Sequence, residues 1–201
     1  MSGARSKEEM TTRFGVLALQ GDFAAHEKAL QAAGVPAVEV RPVRRVSELA
    51  GLKGLVLPGG ESTTLLKLMA EEDWFDALRG FHARGGALLG TCAGAILLAR
   101  EVNGPRQPSL GLLDATIDRN AYGRQVDSFE AEVEAPALGE PLRGVFIRAP
   151  RFQATGPGVE VLGRLKGAPV LVRQGRVLAA TFHPEIAGDH RLHRMFIGLA
   201  A

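Results

Sequence analysis

Three stretches in the first half of the chain are apolar almost without interruption: Phe14-Gly15-Val16-Leu17-Ala18-Leu19, Gly54-Leu55-Val56-Leu57 and Gly86-Ala87-Leu88-Leu89. Runs this short, with no polar alternation, predict strands buried on both faces in a parallel sheet. Val35 to Val40 reads as a further strand. Helical spacing separates them. Phe23 to Ala33 follows a capping Asp22 and stops at Gly34. Val46 to Leu52 reads as a short helix or turn. Glu61 opens a helix through about Ala70, Asp73 caps another over Trp74 to Arg84, and Ala95 to Arg100 is a third. Strand and helix in alternation imply a parallel sheet with helices on both faces.

The pattern changes beyond residue 109. Segments 110–118, 126–133, 143–148, 159–165, 169–173 and 176–182 are short strand candidates parted by Gly and Pro turns, with a hairpin signal at Gln174-Gly175. A last amphipathic helix covers about His190 to Leu199. The expected fold is therefore α/β, a three-layer, mostly parallel central sheet with helices on both faces and added antiparallel strands. Residues 14–201 read as one domain, and 1–13, polar and charged, as a disordered extension without the apolar core of a signal peptide.

Composition narrows the function classes. With 46% hydrophobic residues the chain can bury a substantial core, and a net charge of +2 argues against nucleic acid as a partner. The basic cluster Arg41-Pro42-Val43-Arg44-Arg45 reads as a solvated loop or a protein contact. No run of about 18 apolar residues predicts a membrane span. One cysteine allows neither an internal disulfide nor a four-cysteine zinc site, which fits a reducing cytoplasm.

That cysteine sits in Gly90-Thr91-Cys92-Ala93-Gly94, between a strand and a helix. This is the Gly-x-Ser-x-Gly nucleophile elbow with sulfur in place of oxygen. The helix beyond it aims free N–H groups and its positive dipole end at the sulfur, favouring a thiolate. A thiol nucleophile needs a base. His26 and His82 lie on helical stretches among charged neighbours and read as surface residues; His190 and His193 share one face of the last helix without a clear third metal ligand. His183 ends a strand in Phe182-His183-Pro184-Glu185. In an extended segment, residues i and i+2 point the same way, so Glu185 would orient the His183 ring toward Cys92. Gly59 and Gly60, after the Gly54–Leu57 strand, and the backbone N–H of Ala93 are candidate oxyanion-hole donors. A phosphate loop at Gly59-Gly60-Glu61-Ser62-Thr63 is disfavoured, since the lysine of that pattern is missing and Glu61 would repel phosphate.

Taken together, Gly59-Gly60-Glu61-Ser62-Thr63, Gly90-Thr91-Cys92-Ala93-Gly94 and Phe182-His183-Pro184-Glu185 resemble the class I, or triad, glutamine amidotransferases, whose fold is flavodoxin-like. More narrowly, the chain resembles the glutaminase subunits of pyridoxal 5′-phosphate synthase, the PdxT/SNO family. The same family pattern matches Leu17-Ala18-Leu19-Gln20-Gly21, Arg119 to Gln125, Asp127-Ser128-Phe129-Glu130, Phe146-Ile147-Arg148-Ala149-Pro150 and Asp189-His190-Arg191.

The resemblance implies a Cys92–His183–Glu185 triad that hydrolyses L-glutamine through a thioester. It also implies glutamine binding by Gly60, Glu61, Ser62, Arg119, Ile147 and Arg148, with Glu61 at the α-ammonium and an arginine at the α-carboxylate. It implies neither cofactor nor metal, and a synthase partner of the PdxS family in a hetero-oligomeric complex that receives the ammonia. The loop Gln20 to His26, leaving a strand near the site, is the expected place of part of that contact. Two other readings share these motifs: a triad amidotransferase serving a different synthase, and a non-catalytic binding protein on the same fold. Product formation with candidate synthases separates the first, and loss of glutamate release on Cys92→Ala the second.

Overall fold

The computed structural model describes residues 13–119 and 128–201. Of the extension read over 1–13, only Arg13 is among them; its amide donates to the Glu39 carbonyl at 3.1 Å, and its carbonyl accepts from Lys53 N at 2.8 Å. Most of the Arg119–Gln125 segment, and Asp127, also lie outside the described residues.

The central sheet holds seven strands. Five are parallel: β1 (Phe14–Leu17), β2 (Val40–Val43), β3 (Gly54–Leu57), β4 (Ala87–Thr91) and β12 (Val177–Ala180). Two antiparallel strands, β10 (Glu160–Leu165) and β11 (Ala168–Gln174), extend it in the order β10-β11-β12-β4-β3-β1-β2. The β11–β12 hairpin turns at Gly175-Arg176, with Gly175 at φ +56°.

The apolar strands divide their side chains between two cores, as period-two alternation requires. Leu17, Leu55, Leu57 and Leu88 face one core with α2 (Ser62–Met69), α3 (Trp74–Ala83) and α4 (Ala93–Leu98). Val16, Val56 and Leu89 face the other with α1 (Phe23–Ala32) and α6 (Arg191–Leu199). Each core is closed by a small accessory sheet. The first takes β5 (Ala99–Asn103), β6 (Leu113–Asp118) and β9 (Arg151–Thr155); the second takes β7 (Phe129–Val133) and β8 (Leu142–Phe146). The result is the expected α/β layering.

Local departures have physical causes. Pro36 leads into a 3-10 turn over Ala37–Glu39, so the second strand forms at Val40–Val43 and not over Val35 to Val40. Arg41 and Pro42 therefore lie in a strand, not a loop; β2 is the sheet edge, where a proline without N–H is tolerated. The helix after the elbow ends at Leu98, and Ala99 to Asn103, expected to begin as helix, pairs in parallel with β6. Strand β9 pairs antiparallel with β6 and had no strand signal, its burial being confined largely to Phe152. Asp22 caps α1 by accepting from Ala25 N at 3.1 Å, whereas Asp73 heads α3 with no side-chain cap bond.

Candidate active site

The carboxyl ends of β1, β3, β4 and β12 are adjacent, so the segments that leave them converge. Gln20 follows β1, Gly59-Gly60-Glu61 follow β3, Cys92 follows β4, and His183 follows β12. They surround a cleft of about 330 Å³, at the lower end of the volume common for small-ligand sites. Gly59, Gly60, Glu61, Ser62, Cys92, Arg119, Ile147, Arg148, His183 and Glu185 all line it. Ala93, the first residue of α4, lies buried directly behind Cys92.

Steric fit forms the elbow. Cys92 is held at φ +47°, ψ −104°, a sparsely populated conformation that costs on the order of 1–3 kcal/mol for a side-chain-bearing residue. Flanking glycines let the chain turn there. A Cβ on Gly94 would overlap the Leu57 carbonyl oxygen, and one on Gly90 would sit 2.6 Å from the Gly94 carbonyl oxygen. Helix α4 thus starts against β3 and β4, and Cys92 is presented from its N-terminus. The thiol, largely buried, lies 4.0 Å from the Ile147 carbonyl oxygen. Gly59 makes room for the His183 ring, which a Cβ there would overlap.

His183 is pinned through its backbone, whose N–H donates to the Val145 carbonyl at 2.8 Å. Its Nδ1 lies 2.7 Å from Glu185 Oε1. The juxtaposition arises differently from the extended geometry expected. Pro184 is the first residue of a short helix, α5 (Pro184–Ala187), and His183 is its N-cap, so Glu185 comes alongside through a helical turn. Burial pushes the His183 imidazole down, but its hydrogen bond to Glu185 and the negative charges of Glu185 and the neighbouring Cys92 sulfur outweigh that and raise its pKa to about 10. Burial likewise disfavours the Glu185 carboxylate, yet His26 and His183 together hold it well below the usual carboxylate range. The anionic neighbours of His183 favour an imidazolium there.

Glu61 is engaged differently. It is exposed and caps α2, accepting from Thr63 N at 3.0 Å, Thr64 N at 2.6 Å and the Thr64 hydroxyl at 2.7 Å. The Thr64 hydroxyl bond is the largest influence on its pKa, which falls to about 2. Gln20 supports the same loop, its Oε1 accepting from Glu61 N at 3.2 Å. Ser62 donates to Gln107 Oε1 at 3.2 Å, and Arg119 Nη2 donates to Thr63 Oγ1 at 3.1 Å. Arg148 stands at φ +43° on the opposite wall.

Two histidines read as surface residues are not. His82 is half-buried with Nδ1 3.0 Å from the Gly86 carbonyl. His26 is fully buried behind Glu185, in contact with His193. Of the Gln20–His26 loop expected to meet a partner, Phe23 to His26 are the first turn of α1, and His26 faces inward from it. Among the described residues no group of three or more His, Cys, Asp or Glu side chains, around His190 and His193 or elsewhere, is arranged to hold a metal ion. Asp22, Ile96 and Ile186 also line the cleft and were not anticipated; Ile186 is 47% exposed at its rim. No helix among the described residues is long and apolar enough to cross a membrane.

The family model described as "SNO glutamine amidotransferase family" matches residues 16–200. A pyridoxal 5′-phosphate synthase subunit PdxT from Thermus thermophilus is 58% identical over 188 residues, covering 92% of this chain and 96% of its own. The subunit of the same name from Deinococcus radiodurans is 55% identical over 191 residues, with the same two coverages. A crystal structure of a glutamine amidotransferase superposes with a TM-score of 0.86 at 55% identity, covering 93% of this chain and 98% of that one. With the family model and these relatives spanning nearly its whole length, the chain belongs to the SNO glutamine amidotransferase family.

Proposed function

We propose that this protein is the glutaminase subunit of a pyridoxal 5′-phosphate synthase, hydrolysing L-glutamine to L-glutamate and ammonia at Cys92. The observation that carries the reading is the His183 ring, held by Glu185 at 2.7 Å and lining the same cleft as Cys92. The Cys92 thiolate attacks the side-chain amide carbon of glutamine and forms a C–S bond. The oxyanion is received by backbone N–H groups of the Gly59-Gly60 loop and of Ala93, the latter free at the start of α4. His183 gives its proton to the amide nitrogen, the C–N bond breaks and ammonia leaves. Water then attacks the thioester while His183 takes its proton, releasing glutamate and restoring the thiolate.

Substrate placement follows from charge. Glu61, kept ionised by its helix-capping bonds, suits the α-ammonium, and Arg119 or Arg148 the α-carboxylate. Gly60, Ser62 and Ile147 complete the walls. None of these steps asks for a metal or an organic cofactor. The ammonia passes to a synthase subunit of the PdxS family in a hetero-oligomeric complex, which condenses it with a pentose phosphate and a triose phosphate in the cytoplasm. Relatives bearing the name of that synthase support this partner. Contact near Asp22, exposed beside the cleft, is consistent with coupling between docking and the Gly59-Gly60 loop, since a Cβ on the adjacent Gly21 would overlap the Gly59 carbonyl oxygen.

The test is glutamate release with and without the synthase subunit. Cys92→Ala is expected to abolish it, a loss of at least about 10³-fold, while leaving the thermal unfolding midpoint nearly unchanged. Turnover surviving in that variant would rule out the thioester route.

A further inference from the structure

Behind the triad lies a row of buried polar side chains that the reaction just described does not use. His26 comes from α1, Thr91 from the end of β4, and His193 from α6; each is 0% exposed. His26 Nε2 lies 3.4 Å from Glu185 Oε1 and 3.1 Å from Thr91 Oγ1, and its Nδ1 lies 3.0 Å from His193 Nε2. Glu185 Oε1 therefore stands between two imidazoles, His183 Nδ1 at 2.7 Å and His26 Nε2 at 3.4 Å. Three elements distant in sequence bring these groups together in an otherwise apolar layer. Buried polar groups are costly unless partnered, so such a row marks a demand for Glu185 in one orientation.

Proton placement gives the row a direction. An ionised carboxylate only accepts, so His26 carries hydrogen at Nε2, shared between Thr91 Oγ1 at 3.1 Å and Glu185 Oε1 at 3.4 Å. The Nδ1···Nε2 contact with His193 needs one hydrogen between the rings, supplied from either side. His193 Nδ1 makes no hydrogen bond among the described residues, so His193 ends the row. The second Glu185 oxygen, Oε2, is also buried without a partner, leaving Oε1 as the oxygen both rings address.

We infer that His26 is a positioning residue for the triad, its Nε2–H shared between Thr91 and Glu185 so that the carboxylate stays aimed at His183, with His193 and Thr91 fixing the His26 ring. The inference rests on the Cys92–His183–Glu185 reading. Groups facing the row from each neighbouring element are Thr91 on β4, His183 after β12, Glu185 on α5, His193 on α6, and Asp189 and His190 just before α6. Glu185 misaligned would leave the His183 imidazolium less supported. The alkaline limb of the activity profile would then move to lower pH.

The experiment compares His26→Phe, which keeps ring volume without an N–H, with His26→Gln, whose amide N–H can replace Nε2–H. Both are assayed for glutamate release in the complex with the synthase subunit. His26→Phe is expected to lower kcat about tenfold to a hundredfold, the scale of a small misplacement of a reacting group, with KM within about twofold. Its alkaline limb should shift down, and His26→Gln should recover most of both effects. Equal kcat and an unmoved pH profile in His26→Phe and wild type would overturn the inference. So would equal losses in the Phe and Gln variants. If His26→Phe fails to fold, His193→Phe, which leaves His26 in place but unsupported, should show the same pH shift with a smaller loss of kcat; an unmoved profile there overturns the inference too. Cys92→Ala, run alongside, separates the two readings. Turnover persisting in it removes the triad and His26's role together, whereas an inactive Cys92→Ala beside a wild-type-like His26→Phe removes only the latter.

Discussion

His183 and His193 stand at opposite ends of one polar row, linked through Glu185 and His26, and burial affects them both. Their protonation nevertheless diverges. His183 is raised to about 10, because desolvation is outweighed by its bond to Glu185 and by the charges of Glu185 and the neighbouring Cys92. His193 is lowered to about 3, because burial acts on it first and repulsion from His26 adds to it, with Glu185 and Asp189 only partly offsetting them. At the cleft end the ring meets partners that become anions; at the core end it meets another ring. In a low-dielectric interior the partner, and not the depth of burial, decides which protonation state survives. Glu61 and Glu185 make the same point for carboxylates. Both are held ionised beside one cleft, the exposed one by a hydroxyl and N–H groups at a helix start, the buried one by two histidines.

The contrast can be broken most sharply at its middle. Glu185→Gln keeps the shape but removes the charge that supports His183. Glutamate release should fall by about 10⁴-fold in kcat, the loss known when a triad carboxylate becomes an amide. A loss under about threefold would show that His183 is held by Cys92 alone.

A smaller effect is expected in stability against pH. Between about pH 3 and 6.5 the unfolded chain binds a proton at the position of His193 that the folded protein does not, so stability falls as pH drops below 6.5. Between 6.5 and about 10 the folded protein keeps a proton on His183 that the unfolded chain has lost, so stability declines as pH rises through that window. Glu185, with a depressed pKa, adds a further loss once pH falls below its ordinary value of 4.5. The unfolding midpoint should therefore crest near pH 6.5. His193→Gln should flatten the acid arm and His183→Asn the alkaline one. An acid arm unchanged in His193→Gln would show that His193 is not the group being protonated.

Least is expected from the exposed counterpart. Glu61→Ala removes the N-cap of α2 and should cost about 0.5–2 kcal/mol in denaturant unfolding. It should also raise KM for glutamine more than it lowers kcat. An unchanged KM would remove Glu61 from the ammonium site while leaving its cap intact as a structural role.

Much of this architecture could be read from local pattern. The strands at Phe14, Gly54 and Ala87 are legible because a strand buried on both faces has no room for polar alternation. Gly90, Cys92 and Gly94 are legible because the elbow is a steric requirement met within five residues. His183 and Glu185 are legible because they are two residues apart, although a helical turn, not an extended strand, sets their contact. β9 was hidden, as its residues are mostly exposed or half-buried and only Phe152 is buried. His26 was hidden for a different reason. Its neighbours Glu27 and Lys28 give α1 a surface look, and its hydrogen-bonding partners lie 65 and 167 positions away.

The sequence by itself determined the layered α/β plan, the elbow and the histidine–glutamate pair, because each depends on residues within a few positions of one another. Tertiary structure alone decided that His26 and His193 reach inward, that one Glu185 oxygen is shared by two rings, and that one buried histidine keeps its proton while another loses it. Those outcomes depend on which charges meet across packed layers, and a pattern along the chain does not carry that information.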